Sequence, residues 1–257
     1  METLVLKLVV TPVLIAAATL VGRRWGQAVG GWLVGLPLTS GPVAFFIALD
    51  RGPDFAAGAA LGSLEGLAAE AAFCIGYGWC ARFYGWPQSF LSGSIAFAIA
   101  GTLVHALALP PLLLLPSVLA TLVIALRVMP RWSGAPVTAA PPRWDLPSRM
   151  IAATAVVLAL TTAAPLLGPR VSGLLATFPL FAAVLAVFAH HTQDRIAAVS
   201  VLRGLLLGLF SFAAFFAALE PVLPRFGIGA GFSAAICAAL LTQTTTLLLM
   251  GKRLRTT

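Results

Sequence analysis

Long apolar runs, separated by short connections that carry most of the charge, constrain the fold of this chain more than any other feature. A helix needs about 20 consecutive apolar residues to cross a bilayer. Nine runs of roughly this length can be placed along the 257 residues. The predicted helices are 3–22, 27–49, 55–80, 87–108, 110–128, 148–168, 171–190, 195–219 and 226–251. The sequence therefore predicts an all-α polytopic transmembrane helix bundle.

The composition supports a membrane protein and argues against other classes. Hydrophobic residues make up 60% of the chain and charged residues 9%, whereas charged residues make up about a quarter of a soluble domain. The net charge of +8 is spread over the short connections instead of forming one patch, so we expect contact with the lipid bilayer and no nucleic acid. The three cysteines have no metal-site spacing, and no residue pattern indicates a metal or a cofactor.

The basic residues also predict an orientation. Eleven Lys and Arg residues fall in connections on one side of the predicted bundle and three on the other, and the richer side should be cytoplasmic. The three on the poorer side are Arg51, Arg170 and Arg225. We therefore expect a multi-pass protein of the bacterial inner membrane, with its N-terminus outside and its C-terminus in the cytoplasm.

The two halves of the chain repeat a pattern. Aligning Pro37 with Pro179 also aligns Gly31 with Gly173 and Leu38 with Leu180. The sequence thus predicts one integral membrane domain, with repeat one at 1–108, a connecting helix and cytoplasmic loop at 109–147, and repeat two at 148–257. Because a single helix lies between two four-helix units, the repeats should be inverted, as in many secondary transporters.

Proline interrupts corresponding helices of the two repeats. Pro37 breaks the second predicted helix, together with Gly41 and Pro42, and Pro179 breaks the seventh. Proline removes a backbone donor and frees a carbonyl, which must find a polar partner inside a membrane. Thr39 and Ser40 could supply that partner locally. Paired breaks are also the best sequence indication of a transport site, so Thr39 and Ser40 are candidate solute ligands.

A family resemblance rests on the second of these breaks. The stretch Gly173 to Phe181 reads GLLATFPLF, leads into an apolar helix and a polar turn, and is followed by a helix that opens with small residues. This pattern resembles the small GlpM-like membrane proteins, which are about half as long, so the chain resembles a fused tandem duplication. The first half departs from the pattern in its more broken GLPLTSGP segment at 35–42. The resemblance implies a loose link to exopolysaccharide production and supplies no catalytic residues.

Two charged residues lie inside apolar runs. Glu65 falls in the third predicted helix and Arg203 in the eighth, and helix rise places both at similar depth. They could meet across the repeat interface. The pair could be a structural ion pair that fixes helix register. It could instead be a site, with Arg203 binding an anionic group or Glu65 binding a proton or cation.

Glycines at a spacing of four form stripes on the same two helices. Small residues let helix backbones approach closely, so these stripes predict helix packing, or faces that slide as two repeats rock. The residues are Gly58, Gly62 and Gly66 in the third helix and Gly204 and Gly208 in the eighth.

Other polar residues receive structural interpretations. We expect Glu70 to pair with Arg24 or Arg82, or to extend toward the cytoplasmic interface. Glu65 and Glu70 are five residues apart and do not share a helix face. The sequence contains no nucleophile-and-base motif and no metalloprotease motif, so we do not expect an enzyme.

These observations favour a small secondary transporter or exporter with a polar site at mid-membrane depth. The solute would be a small molecule, and a homodimer is one possible assembly. The alternative is an accessory membrane subunit of an envelope or exopolysaccharide assembly system, which would need no transport cycle.

Overall fold

The computed structural model is all-α, as predicted. It describes the backbone of residues 2–107, 109–131 and 142–254, and their side chains apart from those of 2–8, 160–161, 163–176 and 249–254. Nine helices lie in this part of the chain. They are α1 Glu2–Trp25, α2 Gln27–Val34, α3 Ser40–Arg51, α4 Pro53–Cys80, α5 Trp86–Leu107, α6 Pro111–Val128, α7 Asp145–Ala176, α8 Leu180–Thr192 and α9 Arg195–Leu254.

Helix α9 is a hairpin of two helices. Gly227 has φ 79° and ψ 178°, a conformation that residues with a Cβ rarely adopt. The Ser211 hydroxyl donates to the Ala239 carbonyl across this break, at 2.9 Å. Residues 195–226 and 228–254 therefore run back along each other, and we call them the first and second parts of α9.

Most of the predicted helix boundaries match the structure, but two differ. The predicted end of the eighth helix at residue 219 is wrong, because the first part of α9 continues through Pro221 and Pro224. A division between helices near residue 170 was also predicted, and there the structure assigns a single helix, α7, as far as Ala176. Prolines within membrane helices are tolerated where other groups satisfy the freed carbonyls, so a proline alone does not fix a helix end.

Four of the described helices are long and apolar enough to cross a membrane. They are Pro53–Cys80, Trp86–Leu107, Pro111–Val128 and Arg195–Leu248. On α5 an exposed apolar stripe at a spacing of four faces outward and suits lipid contact. Its members are Leu91, Ile95, Ile99, Leu103 and Leu107. The apolar helices support a membrane protein, while the count of nine membrane spans stays a prediction.

The centre of the bundle is formed by α4 and the first part of α9. Helix α4 packs on α5, α6 and α9, and α9 also packs on α2 and α8. The buried side chains on these two helices are mostly leucine, phenylalanine and alanine, and Leu67, Phe73 and Leu202 are fully buried. These two helices hold the shorter ones in place.

Glycines allow α2 to lie directly on α9. A Cβ on Gly204 would collide with the Ala28 carbonyl, and one on Gly31 would collide with the Val201 carbonyl. One turn further, a Cβ on Gly35 would lie 2.6 Å from the Gly208 Cα. The two backbones thus touch along two pairs of glycines spaced by four, the arrangement typical of close membrane-helix contacts.

The glycine stripe of α4 behaves differently. Gly66 is in contact, because a Cβ there would lie 2.7 Å from the Thr177 side chain. A Cβ on Gly58 or Gly62 would have nothing within 4 Å. The predicted packing role of Gly58 and Gly62 is therefore wrong for the described residues: their side of α4 is open, so the absence of a side chain brings no helix closer.

We predict that Gly204→Leu destabilises the protein and that the matched Gly62→Leu does not. The new side chain at position 204 must push α2 away from α9, at a cost of about 1–3 kcal/mol. At position 62 it points into open space. The midpoint of thermal unfolding in detergent, followed by circular dichroism, measures the difference. Equal midpoints for the two variants would contradict the α2–α9 contact.

Candidate functional site

Glu65 does not lie at a central site. Its carboxylate is 3.7 Å from Nδ1 of His105, which is near the end of α5. The Glu65 side chain is 31% exposed and that of His105 is 76% exposed. This pair therefore lies on the lateral surface of the bundle, between α4 and α5.

Arg203 lies well away from Glu65. Its Nη1 donates to the Met129 carbonyl at 3.2 Å, and Met129 packs on Gly78, where a Cβ would be 3.1 Å from the Met129 Cε. Gly78 follows Glu65 by thirteen residues on α4, about 20 Å at 1.5 Å per residue. The expectation that Glu65 and Arg203 lie at one depth and meet is wrong. Glu65 pairs with His105 near the end of α5, whereas Arg203 donates to Met129, the residue after α6.

The two predicted helix breaks are present and have the same backbone structure. At Pro37 the Leu38 N–H donates to the Leu36 carbonyl at 2.7 Å, and the Gly41 N–H donates to the Pro37 carbonyl at 2.9 Å. At Pro179 the corresponding distances are 2.7 Å, from Leu180 to Phe178, and 2.8 Å, from Ala183 to Pro179. Each is a tight turn centred on proline, which then starts the next helix. Gly41 and Pro42 lie inside α3 and do not form part of the break.

Residues from both breaks line one small cleft. Leu36, Leu38 and Thr39 come from the first break, and Phe181 follows the second. Leu14 and Ala18 of α1, with Leu33 and Val34 of α2, complete the lining. Two segments far apart in sequence are therefore brought to the same place, and Thr39 adds a hydroxyl to an apolar lining.

The hydroxyls beside the first break do not satisfy it locally. Thr39 occupies the N-cap position of α3 without a side-chain capping hydrogen bond. The Ser40 Oγ is buried and has no hydrogen-bond partner among the described residues. A buried hydroxyl without a partner costs about 1–3 kcal/mol. The local alternative for Thr39 and Ser40 is thus not what the structure shows, and both groups are available to a ligand or water.

A further unpartnered group lies near the C-terminal end of α2. Gln243 is 5% exposed, and both atoms of its amide lack a hydrogen-bond partner among the described residues. It shares a helix face with Ala239, which accepts from Ser211, and with Thr246, which accepts from Trp32 at 3.1 Å. Gln243 therefore points into the junction of α2 and the two parts of α9, where a polar ligand could be held.

The second break packs against α4 through aromatic rings. The Phe178 ring lies 5.6 Å from Phe73, 6.2 Å from Phe90 and 5.2 Å from Phe97, in edge-to-face arrangements. Such pairs are favourable beyond the area they bury. Phe178 thus anchors the turn at Pro179 against α4 and α5.

Glu70 lies on the face of α4 that meets this second break. Gly66 contacts Thr177 and Phe73 contacts Phe178, while Tyr77 hydrogen-bonds His190 of α8 at 3.2 Å. At 3.6 residues per turn, positions 66, 70, 73 and 77 fall within about 60° of one another. Glu70 therefore faces the side of α4 on which Tyr77 reaches His190 of α8.

The expected partners of Glu70 are engaged elsewhere. The Arg24 guanidinium lies over the Trp25 ring at 5.3 Å, and that of Arg82 lies over Trp79 at 4.9 Å. Among the described residues no ion pair includes Glu70. The predicted pairing is thus wrong. The sequence signal for its true position was the spacing from Gly66 through Glu70 to Tyr77, which defines one helix face.

A buried charged cluster at the start of α7 was not predicted. The fully buried Asp145 carboxylate accepts from Arg23 of α1 at 2.7 Å and from Arg149 Nε at 3.0 Å. The Arg149 side chain is 2% exposed and lies over the Phe188 ring at 5.2 Å. This cluster joins α1, α7 and α8. The sequence did contain a signal for this cluster. An acidic and a basic residue, Asp145 and Arg149, lie four positions apart where a helix begins, a spacing that predicts an ion pair.

Comparison of the chain with protein-family models, with curated proteins and with solved structures gives no match. The resemblance to GlpM-like proteins accordingly remains an expectation from the residues alone.

We predict that Asp145→Asn lowers the stability by about 3–5 kcal/mol, because it leaves the buried Arg149 without its counter-charge. The matched control is Asp50→Asn, since Asp50 is exposed. Chemical unfolding in detergent measures both variants. Replacing Asp145 and Arg149 together with Leu and Met should recover part of the loss. A loss no larger than that of the control would show that the cluster does not hold these helices together.

Proposed function

We propose that this protein is a small secondary transporter or exporter of the bacterial inner membrane, with a mid-membrane polar site between two inverted repeats. The observation that carries the proposal is the pair of proline-centred breaks with the same hydrogen bonds, which contribute to one cleft. Broken membrane helices at corresponding positions of two halves are characteristic of transporter binding sites.

The packing of the two breaks supports the repeat. The first break lies on the first part of α9, through Gly35 and Gly208, and the second lies on α4, through Thr177 and Gly66. Each break thus packs on a glycine of the long helix that belongs to the other half. A twofold relation between 1–108 and 148–257, with α6 between them, would produce this reciprocal arrangement.

The breaks also provide groups that can bind a solute. Helices α2 and α7 end at the breaks with their carbonyl ends, and α3 and α8 begin there with their amide ends. The carbonyl ends suit cations and donors, and the amide ends suit anions and acceptors. Thr39 adds a neutral hydroxyl to the cleft, and Ser40 beside it and Gln243 near the end of α2 have buried polar atoms without a partner among the described residues. This mixture favours a small polar or zwitterionic solute.

The proposed orientation places the C-terminal ends of α4 and α6 in the cytoplasm. Arg195 donates to the Arg82 carbonyl at 3.0 Å, and Arg23 pairs with Asp145. These arginines come from the connections that the sequence assigns to the cytoplasm, and Arg195 lies beside Arg82. That grouping is what the excess of positive charge on the cytoplasmic side would give.

An accessory subunit of an envelope or exopolysaccharide assembly system is the second candidate. The observation that favours it is the Glu65–His105 pair, which lies on the lateral surface beside the exposed stripe of α5. Polar groups directed toward lipid are costly at depth, and a partner helix would cover them. A second copy of the chain could serve as that partner.

We predict that Thr39→Val lowers solute exchange by about fivefold, since the lost hydrogen bond is worth about 1 kcal/mol. The matched control is Thr102→Val, because the exposed Thr102 hydroxyl bonds only to its own helix, at Ala98 and Ile99. Purified protein in proteoliposomes would be tested on a solid-supported membrane with amino acids, sugars, carboxylates and amines. Solute-dependent currents that Thr39→Val reduces and Thr102→Val leaves unchanged are the expected result.

Absence of a current with every solute class would contradict the transporter proposal. A deletion strain that loses exopolysaccharide would then be complemented with each variant. Recovery of exopolysaccharide with Thr39→Val, but not with the double variant Glu65→Gln and His105→Ala, would favour the accessory subunit. The two candidates are thus separated by which surface of the protein must remain intact.

A further inference from the structure

We propose that Glu70 is a proton-binding site, connected to the cytoplasmic end of the bundle by Tyr77 and His190. The use of this proton to drive a solute rests on the proposed transport function, whereas binding of the proton does not.

The position of Glu70 within α4 makes its charge costly. It lies seventeen residues after the start of α4 at Pro53 and ten before the end at Cys80. These spacings correspond to about 25 Å and 15 Å along an axis of about 40 Å, so a helix centred on a hydrocarbon core about 30 Å thick holds Glu70 about 10 Å inside its cytoplasmic boundary. An ionised carboxylate at such depth needs a counter-charge or water.

Among the residues whose side chains the structure describes, none supplies Glu70 with a fixed counter-charge. On its own helix the next ionisable side chains along this side are Cys74 and Tyr77, and α8 contributes His190. From α9 the nearest basic residue is Arg203, whose guanidinium donates to Met129 near Gly78, two turns away toward the cytoplasm. Glu70 therefore carries its own proton in the resting protein and can exchange it when water or a cationic solute reaches the space between α4 and α8.

Tyr77 and His190 provide a route for that exchange. The Tyr77 hydroxyl lies two turns beyond Glu70 on the same face and is 3.2 Å from Nδ1 of His190. His190 lies in the last turn of α8, next to the exposed His191. A hydroxyl can donate and accept, and imidazole can take a proton near neutral pH. Glu70 and Tyr77 lie about 10 Å apart along the helix, so a proton lost by the carboxyl crosses that distance when water enters the space between α4 and α8.

The first test measures the proton directly and needs no solute. Dicyclohexylcarbodiimide reacts with protonated carboxyl groups inside membranes, and peptide mass spectrometry locates the product. We expect Glu70 to be modified in proteoliposomes at neutral pH, with a rate that falls in alkaline buffer. Glu70→Gln should remove the product, whereas the matched Glu65→Gln should leave it unchanged. Modification of Glu65 but not of Glu70 across the pH series would overturn the proposal.

The second test measures coupling in proteoliposomes that contain the pH dye pyranine. A solute that gives a current should also move protons, and Glu70→Gln should reduce the proton flux by at least about a hundredfold, the contribution of a positioned proton-transfer group. Solute exchange at equal concentrations should survive, because glutamine resembles the protonated acid. His190→Ala should slow the proton flux without removing the carbodiimide product.

The outcomes separate the two proposals. If no solute moves but Glu70 still reacts with the carbodiimide in a pH-dependent way, the proton site stands and the transporter proposal fails. If a solute moves and Glu70→Gln keeps full proton coupling, transport stands and Glu70 is only a neutral packing residue.

Discussion

The structure depends on the backbone contact between α2 and the first part of α9. Gly31 and Gly204 have no side chains, so the two helix backbones touch. Gly31 lies against the Val201 carbonyl, and Gly204 lies against the Ala28 carbonyl. This contact holds the end of α2, and therefore the break at Pro37, against the middle of the bundle. In hydrocarbon, irregular backbone is tolerated only where protein or a water-filled cavity surrounds it. Close helix packing is thus what permits a polar break, and the cleft beside it follows from the same contact.

Features that arise from local backbone chemistry could be predicted from the sequence. A missing N–H at Pro37 or Pro179 acts within one helical turn, so both breaks were found at the right residues. Features that depend on which neighbour a helix face meets could not be predicted. Glycine at 62 and glycine at 204 look alike in sequence, yet one faces open space and the other an adjacent backbone. Glu65 and Arg203 were misplaced for the same reason, because helix rise gives an approximate depth but not a partner. Asp145 was missed because a proline-rich basic stretch precedes it and gave no indication of burial.

The charged residues divide according to how their desolvation is offset. Asp145 is completely buried, but two arginines donate to it, so its desolvation is offset and the cluster joins three helices. Glu65 remains partly exposed and has His105 beside it. Glu70 is also partly exposed, but it has no ion-pair partner among the described residues. An ionised carboxylate at membrane depth without a counter-charge is strongly unfavourable, and the simplest remedy is to bind a proton. The structure therefore separates charges that hold helices together from an acid that can change its protonation.

The location of that acid bears on the choice between transport and an accessory role. An accessory subunit would be expected to place its unsatisfied polar groups on the lateral surface, where a partner can cover them, as with Glu65 and His105. Glu70, Ser40 and Gln243 are instead directed into the bundle, two of them without partners for buried atoms. A partner on the outside cannot satisfy these groups, whereas water or a solute entering between the halves can. Since each break rests on a glycine of the opposite half, a small relative movement of the two halves would change access to both breaks together, which is the condition for alternating access.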